Sequence, residues 1–308
     1  MLEIKQLYKK YGHSTALDHI DLTVNEGDIF GFVGPNGAGK TTTMRILATL
    51  LRPTGGEAVI DGISVTRHPK KIRQIIGYMP DFFGVYDNLK VTEYLDFYSR
   101  AAGLSYKEGR RSSDELLELI YLNDKRDSYV DTLSRGMKQR LCLARSLIGN
   151  PKLLILDEPA SGMDPRARVE MKGILKTLKE MKKTILISSH ILPELSELCD
   201  VLGIIEGGKF QFVGTMTEIA EKMHGGRIIR ITSRAEVTEL ISLLRENPFA
   251  GNITWEDNVV SLSFTGDEED TQKLLYSLVE QKQPIVSFSL EKENLENVFL
   301  EVVKDDQN

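Results

Sequence analysis

The chain has 308 residues, 41% hydrophobic and 27% charged, with a formal net charge of -6. That length accommodates one large and one small domain whose cores need no disulfides. The acidic balance argues against a nucleic-acid surface, which normally concentrates basic residues, and no apolar run approaches the roughly 20 residues that span a bilayer. Residues 1–5 carry no apolar leader, and Cys142 and Cys199 are expected to be buried thiols in a reducing compartment.

Alternating apolar residues predict the first strands. Ile20, Leu22 and Val24 alternate with polar residues, and residues 57–65 form a strand pair around Asp61-Gly62, which together predict an antiparallel β-layer. Residues 28–33 are predicted to be a short buried strand. A helix is predicted from 42 to 51, with apolar residues at helical spacing: Met44, Ile46, Leu47, Leu50 and Leu51.

Between that strand and that helix lies a glycine-rich loop that matches the pattern G-x-x-x-x-G-K-[ST]: Gly34-Pro35-Asn36-Gly37-Ala38-Gly39-Lys40-Thr41, followed by Thr42. Its glycines let backbone N–H groups surround a polyphosphate, Lys40 adds a positive charge, and Thr41 offers a hydroxyl to Mg²⁺. The loop also points into a helix N-terminus, which favours anions. The order strand, loop, helix favours a nucleotide-binding loop over a structural glycine turn.

No strand pattern occurs from about residue 85 to 148, so we predict a helical subdomain there. Ser112 and Glu115 are predicted to form a capping box that opens one of its helices. A later helix follows Ser134, and its N-terminus can bind phosphate. That helix is predicted to end at Gly149-Asn150-Pro151 and to carry an apolar face made of Met137, Leu141, Ala144, Leu147 and Ile148.

A second apolar run, residues 153–156, ends in Asp157 and Glu158 and predicts a buried parallel strand that offers ligands at its carboxyl end. Asp157 would hold Mg²⁺ directly or through water, and Glu158 would orient or deprotonate the water that attacks the γ-phosphate. The alternative is that the two acids are solvated in a turn, and the presence of the phosphate loop in the same chain disfavours it. Residues 184–188 predict another buried strand, with His190 just beyond it. A helix is predicted from Pro165, with Val169, Ile174, Leu175, Leu178 and Met181 facing inward.

The C-terminal part of the chain has a separate pattern of predicted strands and helices. After a hairpin at Gly207-Gly208 and a short helix over 218–223, the pair Gly225-Gly226 marks a predicted domain boundary. Beyond it the patterns predict β-α-β-β-α-β in a ferredoxin-like order. The predicted elements are a strand over 227–232, a helix over 235–246, a two-strand ribbon over 252–264, a helix over 268–280 and a strand over 284–290, and a last helix is predicted over 294–303.

Over residues 1 to about 215 these motifs, in this order, resemble the ATP-binding cassette (ABC) family. Leu133-Ser134-Arg135-Gly136-Met137 is similar to the family signature, although the family usually has glycine at 135 and glutamine at 137. Ser161-Gly162-Met163-Asp164 is similar to the loop that crosses between two cassettes. Residues 76–81 align with a loop that normally ends in glutamine, where this chain has Asp81.

The resemblance implies ATP and Mg²⁺ as ligands and assigns expected roles. Tyr11 would stack on adenine, and residues 34–42 would bind the phosphates. Lys40, Glu158 and His190 would be catalytic, while Thr41, Asp157 and Asp81 would serve the metal. Ser134, Gly136 and Asp164 would complete the ATP site of a second cassette in a head-to-tail dimer, for which a homodimer is expected.

The resemblance also implies a fold and a function. We expect an α/β P-loop NTPase core with an antiparallel β subdomain and a helical subdomain over 1–224, and a small α+β domain over 225–308. The expected function is ATP hydrolysis that drives an exporter through a separate permease, at the cytoplasmic face of the membrane. A soluble cassette acting on nucleic acid or ribosomes, or a weakly hydrolysing scaffold, remain the alternatives. For the C-terminal domain we prefer a dimer brace or permease-docking module to a regulatory ligand site.

Overall fold

The computed structural model of the chain describes residues 1–82, 84, 86, 88–222 and 227–291. The chain divides into two compact units, Met1–Met216 and Thr217–Asn308. The predicted boundary at Gly225-Gly226 and the predicted helix over 294–303 lie outside the described residues. No helix in the described part of the chain is both long and apolar enough to cross a membrane.

The elements of the first unit follow the predicted order along the chain. They are β1 (Leu2–Tyr11), β2 (Ser14–Val24), β3 (Ile29–Val33), α1 (Lys40–Leu47), β4 (Gly55–Ile60), β5 (Ile63–Ser64), α2 (Pro69–Ile75), β6 (Ile76–Met79), α3 (Val91–Ala101), α4 (Tyr106–Leu119), α5 (Arg135–Leu147), β7 (Leu153–Leu156), α6 (Pro165–Glu180), β8 (Thr184–Ser189), α7 (Leu192–Ser196), β9 (Val201–Glu206) and β10 (Lys209–Gly214), and α8 (Met216–Lys222) follows.

Two sheets form the core of this unit. The four-stranded antiparallel sheet has the order β2-β1-β4-β5, which confirms the predicted β-layer and the turn at Asp61-Gly62. The six-stranded sheet has the order β10-β9-β3-β8-β7-β6, with parallel pairing from β9 to β6 and β10 antiparallel at the edge. Strands β3, β7 and β8 are buried throughout. Because parallel strands end at one edge, the residues that follow β3, β7 and β8 are brought together there.

The helical layer from α3 to α5 occupies the predicted stretch, but one helix start was wrong. Helix α4 begins at Tyr106 and not after Ser112. Its capping box is formed by Ser105, which accepts the Glu108 N–H over 3.3 Å, and by Glu108, which accepts the Ser105 N–H over 2.9 Å. Both pairs fit S-x-x-E, and the earlier one caps the helix, which leaves Ser112 inside α4.

Two apolar residues predicted to face inward, Val169 and Met181, are exposed, and so is Leu50, which was predicted to belong to the helix over 42–51. Leu50 lies beyond the end of α1 and is 63% exposed, since the chain turns at Thr49, whose φ is 62°. In α6, Val169 is 70% exposed, and Met181 follows the helix end and is 57% exposed. The buried stripe of α6 runs instead through Ala167, Met171, Ile174, Leu175 and Leu178. This stripe follows the helical period and leaves position 169 on the opposite face.

Both cysteines are buried free thiols, as the sequence predicted. Cys142 lies in α5, where burial raises the pKa of its thiol to about 11. Cys199 precedes β9, and burial raises the pKa of its thiol as well. Neither thiol is therefore ionised at neutral pH.

The second unit confirms the predicted β-α-β-β-α-β order. It contains β11 (Arg227–Ser233), α9 (Thr238–Arg245), β12 (Ala250–Glu256), β13 (Val259–Phe264), α10 (Glu268–Glu280) and β14 (Ile285–Glu291). The sheet order is β12-β13-β11-β14 with antiparallel pairing, as expected for a ferredoxin-like domain. Apolar residues of the strands, such as Ile231 and Leu262, form one core with apolar residues of the helices, such as Leu244 in α9 and Leu274 in α10.

Candidate nucleotide-binding site

The phosphate loop leaves the carboxyl end of β3, and its shape requires glycine. A side-chain carbon at Gly34 would lie 2.2 Å from the carbonyl oxygen of Ile205. Gly37 and Gly39 have φ values of 86° and 112°, and a carbon at Gly39 would also lie 2.8 Å from the carbonyl oxygen of Ala16. The loop is therefore held in a left-handed, closely packed path that side chains would disrupt.

Lys40 opens α1 and is buried inside this loop. Its Nζ donates to the carbonyl oxygens of Gly34 and Pro35 over 2.5 and 3.1 Å, and it lies 3.7 Å from Oε1 of Glu158. Burial lowers the pKa of Lys40, while the charges of Glu158 and Asp157 act in the opposite direction. The other loop residues surround it: Ala38 donates its N–H to the Pro35 carbonyl, Asn36 is exposed, and Thr42 is half-buried.

Asp157 follows β7 and joins the loop to the neighbouring strand. Its Oδ1 accepts hydrogen bonds from the hydroxyls of Thr41, over 3.1 Å, and Ser188, over 2.9 Å. Burial raises the pKa of Asp157, the two hydroxyls oppose that shift, and the charge of Asp81 adds to it. The structure thus brings together Thr41 and Asp157, two of the three residues predicted to serve a metal.

Glu158 has an unusual backbone, with φ of 50°, at the point where β7 ends. Its N–H donates to Oγ of Ser188 over 2.9 Å, and its Oε2 lies 2.9 Å from Nδ1 of His190. Its Oε1 is buried and makes no hydrogen bond, since Lys40 is within ion-pair distance only. A strained backbone that aims a buried carboxylate at a histidine and a lysine is typical of a functional position.

Asp81 follows β6 and is partly buried. Its charge raises the pKa of both Asp157 and Tyr78, so it lies near the same edge of the sheet. None of the hydrogen bonds or ion pairs described for this chain joins Asp81 directly to Thr41 or Asp157. Asp81 is a neighbour of the metal-type pair and not a member of its hydrogen-bonded cluster.

The cluster offers hard oxygen donors beside a phosphate-type loop. Among the described residues no group of three or more His, Cys, Asp and Glu side chains forms a metal cage. Mg²⁺ does not need one, because it is usually bound by one or two protein oxygens together with substrate phosphates and water. The hydroxyl of Thr41 and the carboxylate of Asp157, in contact with each other, fit that mode.

Comparison with known proteins places this chain in a family. The model described as "ABC transporter" matches residues 17–161, and "ATP-binding protein DrrA1-3-like, C-terminal domain" matches residues 214–303. The uncharacterized ABC transporter ATP-binding protein YxlF of Bacillus subtilis is 33% identical over 305 residues, covering 98% of this chain and 99% of that one. The chain belongs to the ABC transporter ATP-binding proteins.

Two further similarities bear on what this ABC protein does. The daunorubicin/doxorubicin resistance ATP-binding protein DrrA of Streptomyces peucetius is 35% identical over 305 residues, covering 97% of this chain and 91% of that one. A dimeric structure of the cassette MJ0796 in a post-hydrolysis state with ADP and Pi aligns with a TM-score of 0.64 and 26% identity, covering 70% of this chain and 99% of that one. The chain is an ATPase subunit of a transporter, and neither alternative function gains support.

Tyr11, the expected adenine-stacking residue of the ABC protein, makes its one described ring contact with Lys9. Tyr11 ends β1, and its side chain is 51% exposed. The Nζ of Lys9 lies 4.9 Å from the centroid of the Tyr11 ring, within the range of a cation–π contact. The exposed remainder of the ring is open to a planar ligand.

The residues expected to serve a second cassette lie on the helices α5 and α6. Ser134 caps α5, since its Oγ accepts the Met137 N–H over 3.3 Å. A side-chain carbon at Gly136 would lie 2.6 Å from Cβ of Ala167, so the two helices touch there. Asp164 caps α6 by accepting the Ala167 N–H over 2.9 Å. No described hydrogen bond joins Ser134, Gly136 or Asp164 to the phosphate loop of the same chain.

Ser188 is the site residue that the sequence analysis missed. It is fully buried, and its hydroxyl bridges Asp157 and the backbone of Glu158. A signal was present, because a serine at the end of an otherwise apolar buried strand must have a hydrogen-bond partner.

Proposed function

We propose that this chain hydrolyses Mg²⁺-ATP to drive export through a separate membrane permease, together with a second cassette at the cytoplasmic face of the membrane. The observation that carries the proposal is the single cluster in which the phosphate loop, the pair Asp157–Glu158 and His190 meet. The resemblance to a drug-resistance relative supports the outward direction. We expect no nucleic-acid partner, and we propose residues 1–224 as the nucleotide-binding domain.

The phosphate loop and Lys40 bind the triphosphate in this proposal. Backbone N–H groups of the loop and of the start of α1 would bind the phosphate oxygens, and Tyr11 would stack on adenine. Lys40 already lies in the loop, where two carbonyl oxygens and the carboxylates of Glu158 and Asp157 compensate its buried charge. A phosphate chain carries full negative charge and is a stronger partner for that ammonium group than a carbonyl oxygen.

Thr41 and Asp157 are the proposed magnesium residues, and Asp81, whose charge acts on Asp157, is proposed to assist them. When bound, Mg²⁺ neutralises charge that develops on the β- and γ-phosphates. The hydroxyl of Thr41 donates to Asp157, so the two oxygen donors lie side by side at the start of α1. Ser188 holds the same carboxylate from the other side.

Glu158 is the proposed general base. Its Oε2 lies 2.9 Å from Nδ1 of His190 and its Oε1 lies 3.7 Å from Nζ of Lys40, and this carboxylate would take a proton from the attacking water. The water oxygen would form a bond to the γ-phosphorus, its proton would pass to Glu158, and the bond to the β-phosphate oxygen would break to release ADP. His190 orients the carboxylate and contacts the γ-phosphate side.

A second cassette completes the site. Ser134, Gly136 and Asp164 serve the ATP bound by a partner chain, which we propose to be a second copy. The start of α5 suits this role because its free N–H groups and dipole favour phosphate. Gly136 packs closely on Ala167, so the starts of α5 and α6 lie side by side.

The permease would dock near the helical layer. Phe82, directly after Asp81, is 87% exposed, and Tyr86 and Phe97 are about half exposed and in edge-to-face contact, with ring centroids 5.4 Å apart. Exposed aromatic groups of this kind mark a surface that binds another protein. The C-terminal domain, proposed as residues 225–308, is a dimer brace or a second docking module.

Glu158→Gln tests the catalytic assignment. The variant keeps the size of the side chain but removes the base, so we expect turnover to fall by roughly 100-fold or more while ATP binding is retained. Turnover would be measured by phosphate release and binding by nucleotide titration. Turnover within a factor of about two of the wild type would reject Glu158 as the base.

A further inference from the structure

Arg135 stands where the family usually has glycine, and its side chain contacts a neighbouring loop. The guanidinium group lies against Gly162, the second residue of the loop Ser161-Gly162-Met163-Asp164. A side-chain carbon at Gly162 would lie 2.3 to 2.5 Å from the central carbon and both terminal nitrogens of Arg135. Three nearly equal distances mean that the planar group lies flat over the glycine.

Gly162 is suited to this contact in two ways. Its φ of 64° is left-handed, which glycine adopts without strain, and it has no side chain in the space that Arg135 fills. Arginine is suited as well, because its guanidinium is planar and weakly hydrated, whereas a lysine ammonium is compact and cannot lie flat. The two residues are complementary across α5 and the loop.

The same helix makes one further contact with the loop and one with α6, the helix that follows the loop. One turn after Arg135, the buried Gln139 donates from Nε2 to the carbonyl oxygen of Ser161 over 2.8 Å. Gly136 packs on Ala167, just beyond the end of the loop. The first turns of α5 therefore contact the loop and the helix that follows it on one continuous side.

The loop leads directly back to the proposed base. The N–H of Ser161 donates to the carbonyl oxygen of Glu158 over 3.0 Å, which closes the turn that begins at Glu158. A displacement of Gly162 or Ser161 would therefore be transmitted to the backbone of Glu158 through one hydrogen-bonded turn.

We propose that Arg135 is a positioning residue that couples the signature helix to hydrolysis in its own chain. By lying on Gly162, Arg135 fixes the loop that positions Glu158. Binding of α5 to the partner's nucleotide would therefore change the position of Glu158 in the same chain. The inference rests on the proposed role of Glu158 and on the two-cassette site. It assigns Arg135 a geometric role and not the role of a charge that binds nucleotide.

The test is ATP hydrolysis by the full-length chain, measured over a range of ATP concentrations. The variants are Arg135→Ala, Arg135→Lys, Gly162→Ala and the double variant Arg135→Ala/Gly162→Ala. The matched control is Lys138→Ala, which removes a positive charge one turn further along the same helix. Thermal unfolding of each variant reports whether the fold is intact.

We expect Arg135→Ala, Arg135→Lys and Gly162→Ala each to lower kcat by roughly 10-fold, because small displacements of a catalytic group are costly, with little change in the KM for ATP. The Hill coefficient for ATP should fall towards one in all three. Gly162→Ala should cost less activity once Arg135→Ala is present than it does alone, since the contact is already lost and only the strain of alanine at a left-handed φ remains. Lys138→Ala should match the wild type.

Three results would overturn the proposal. A wild-type kcat and Hill coefficient in Arg135→Ala would show that the contact with Gly162 does not affect ATP hydrolysis. Full activity of Arg135→Lys would show that charge alone suffices. Additive losses in the double variant would show that the two residues act separately. Glu158→Gln is measured in the same assay. If Glu158→Gln keeps wild-type turnover, the proposed function fails. If Glu158→Gln loses turnover while Arg135→Ala keeps it, only the coupling role of Arg135 fails.

Discussion

The hydroxyl of Ser188 donates a 2.9 Å hydrogen bond to Oδ1 of Asp157. The same hydroxyl oxygen accepts the N–H of Glu158 over 2.9 Å. One buried side chain on β8 therefore orients both acids that follow β7, the proposed metal residue through its carboxylate and the proposed base through its backbone.

Ser188→Ala should consequently impair both acids. We expect kcat to fall by roughly 10-fold, because the variant leaves the N–H of Glu158 unpaired, removes one of the two hydrogen bonds to Oδ1 of Asp157, and so loosens both acids. The measurement is Mg²⁺-dependent phosphate release. Ser189→Ala is the matched control, since that hydroxyl donates to Glu194 instead. Equal losses in the two variants would contradict a specific role for Ser188.

Asp157→Asn should stabilise the nucleotide-free protein at neutral pH. Burial raises the pKa of Asp157 above its ordinary value of 3.8, so its ionised form is less favourable in the folded chain than in the unfolded chain. The gain should shrink as the pH falls through the folded-state pKa and vanish below 3.8, where both states are protonated. Thermal unfolding across this pH range measures it. A variant less stable than the wild type at pH 7 would contradict the sign.

ATP should favour a dimer of this chain because Ser134 and Gly136 complete the partner's site. Dimerisation should be clearest with Glu158→Gln, in which bound ATP is not consumed. Light scattering with and without Mg²⁺-ATP measures the mass, and Lys40→Ala is the control that should remain unchanged by ATP. Absence of an ATP-dependent dimer, even with the permease reconstituted, would rule out the two-cassette site.

Asp81→Ala should separate binding from coupling. Lys40, Thr41 and Asp157 remain to bind nucleotide, so we expect the affinity for Mg²⁺-ATP to change by less than roughly threefold, while permease-stimulated hydrolysis falls further. Asp124→Ala, which removes an exposed acid of the helical layer, is the control. A large loss of affinity would make Asp81 chiefly a binding residue, and unchanged stimulation would make it an ordinary acid.

The sequence predicted those parts of the fold that depend on local pattern. The strand, glycine loop and helix around Lys40, the buried run before Asp157 and the hairpin at Gly207-Gly208 all follow from short-range periodicity and turn chemistry. The ferredoxin-like order of the second unit followed from the same rules, and its sheet order agrees with the expected topology.

What was missed depends on neighbours distant in the chain. Ser188 lies 31 residues from Asp157, and only the pairing of β7 with β8 brings them into contact. Likewise, nothing local shows that the side chain of Arg135 will lie on Gly162. The start of α4 failed for a different reason, because two S-x-x-E patterns occur seven residues apart and both satisfy the capping rule.

The burial of both cysteines makes this chain convenient for spectroscopy. Cys142 and Cys199 are the only cysteines in the sequence, and both are enclosed and protonated at neutral pH, so thiol reagents should spare them in the folded protein. One cysteine introduced at an exposed position, such as Arg166, whose side chain is 91% exposed, would then be the single labelled point per chain. A pair of identical labels would report the separation of two cassettes directly, without first removing any native residue.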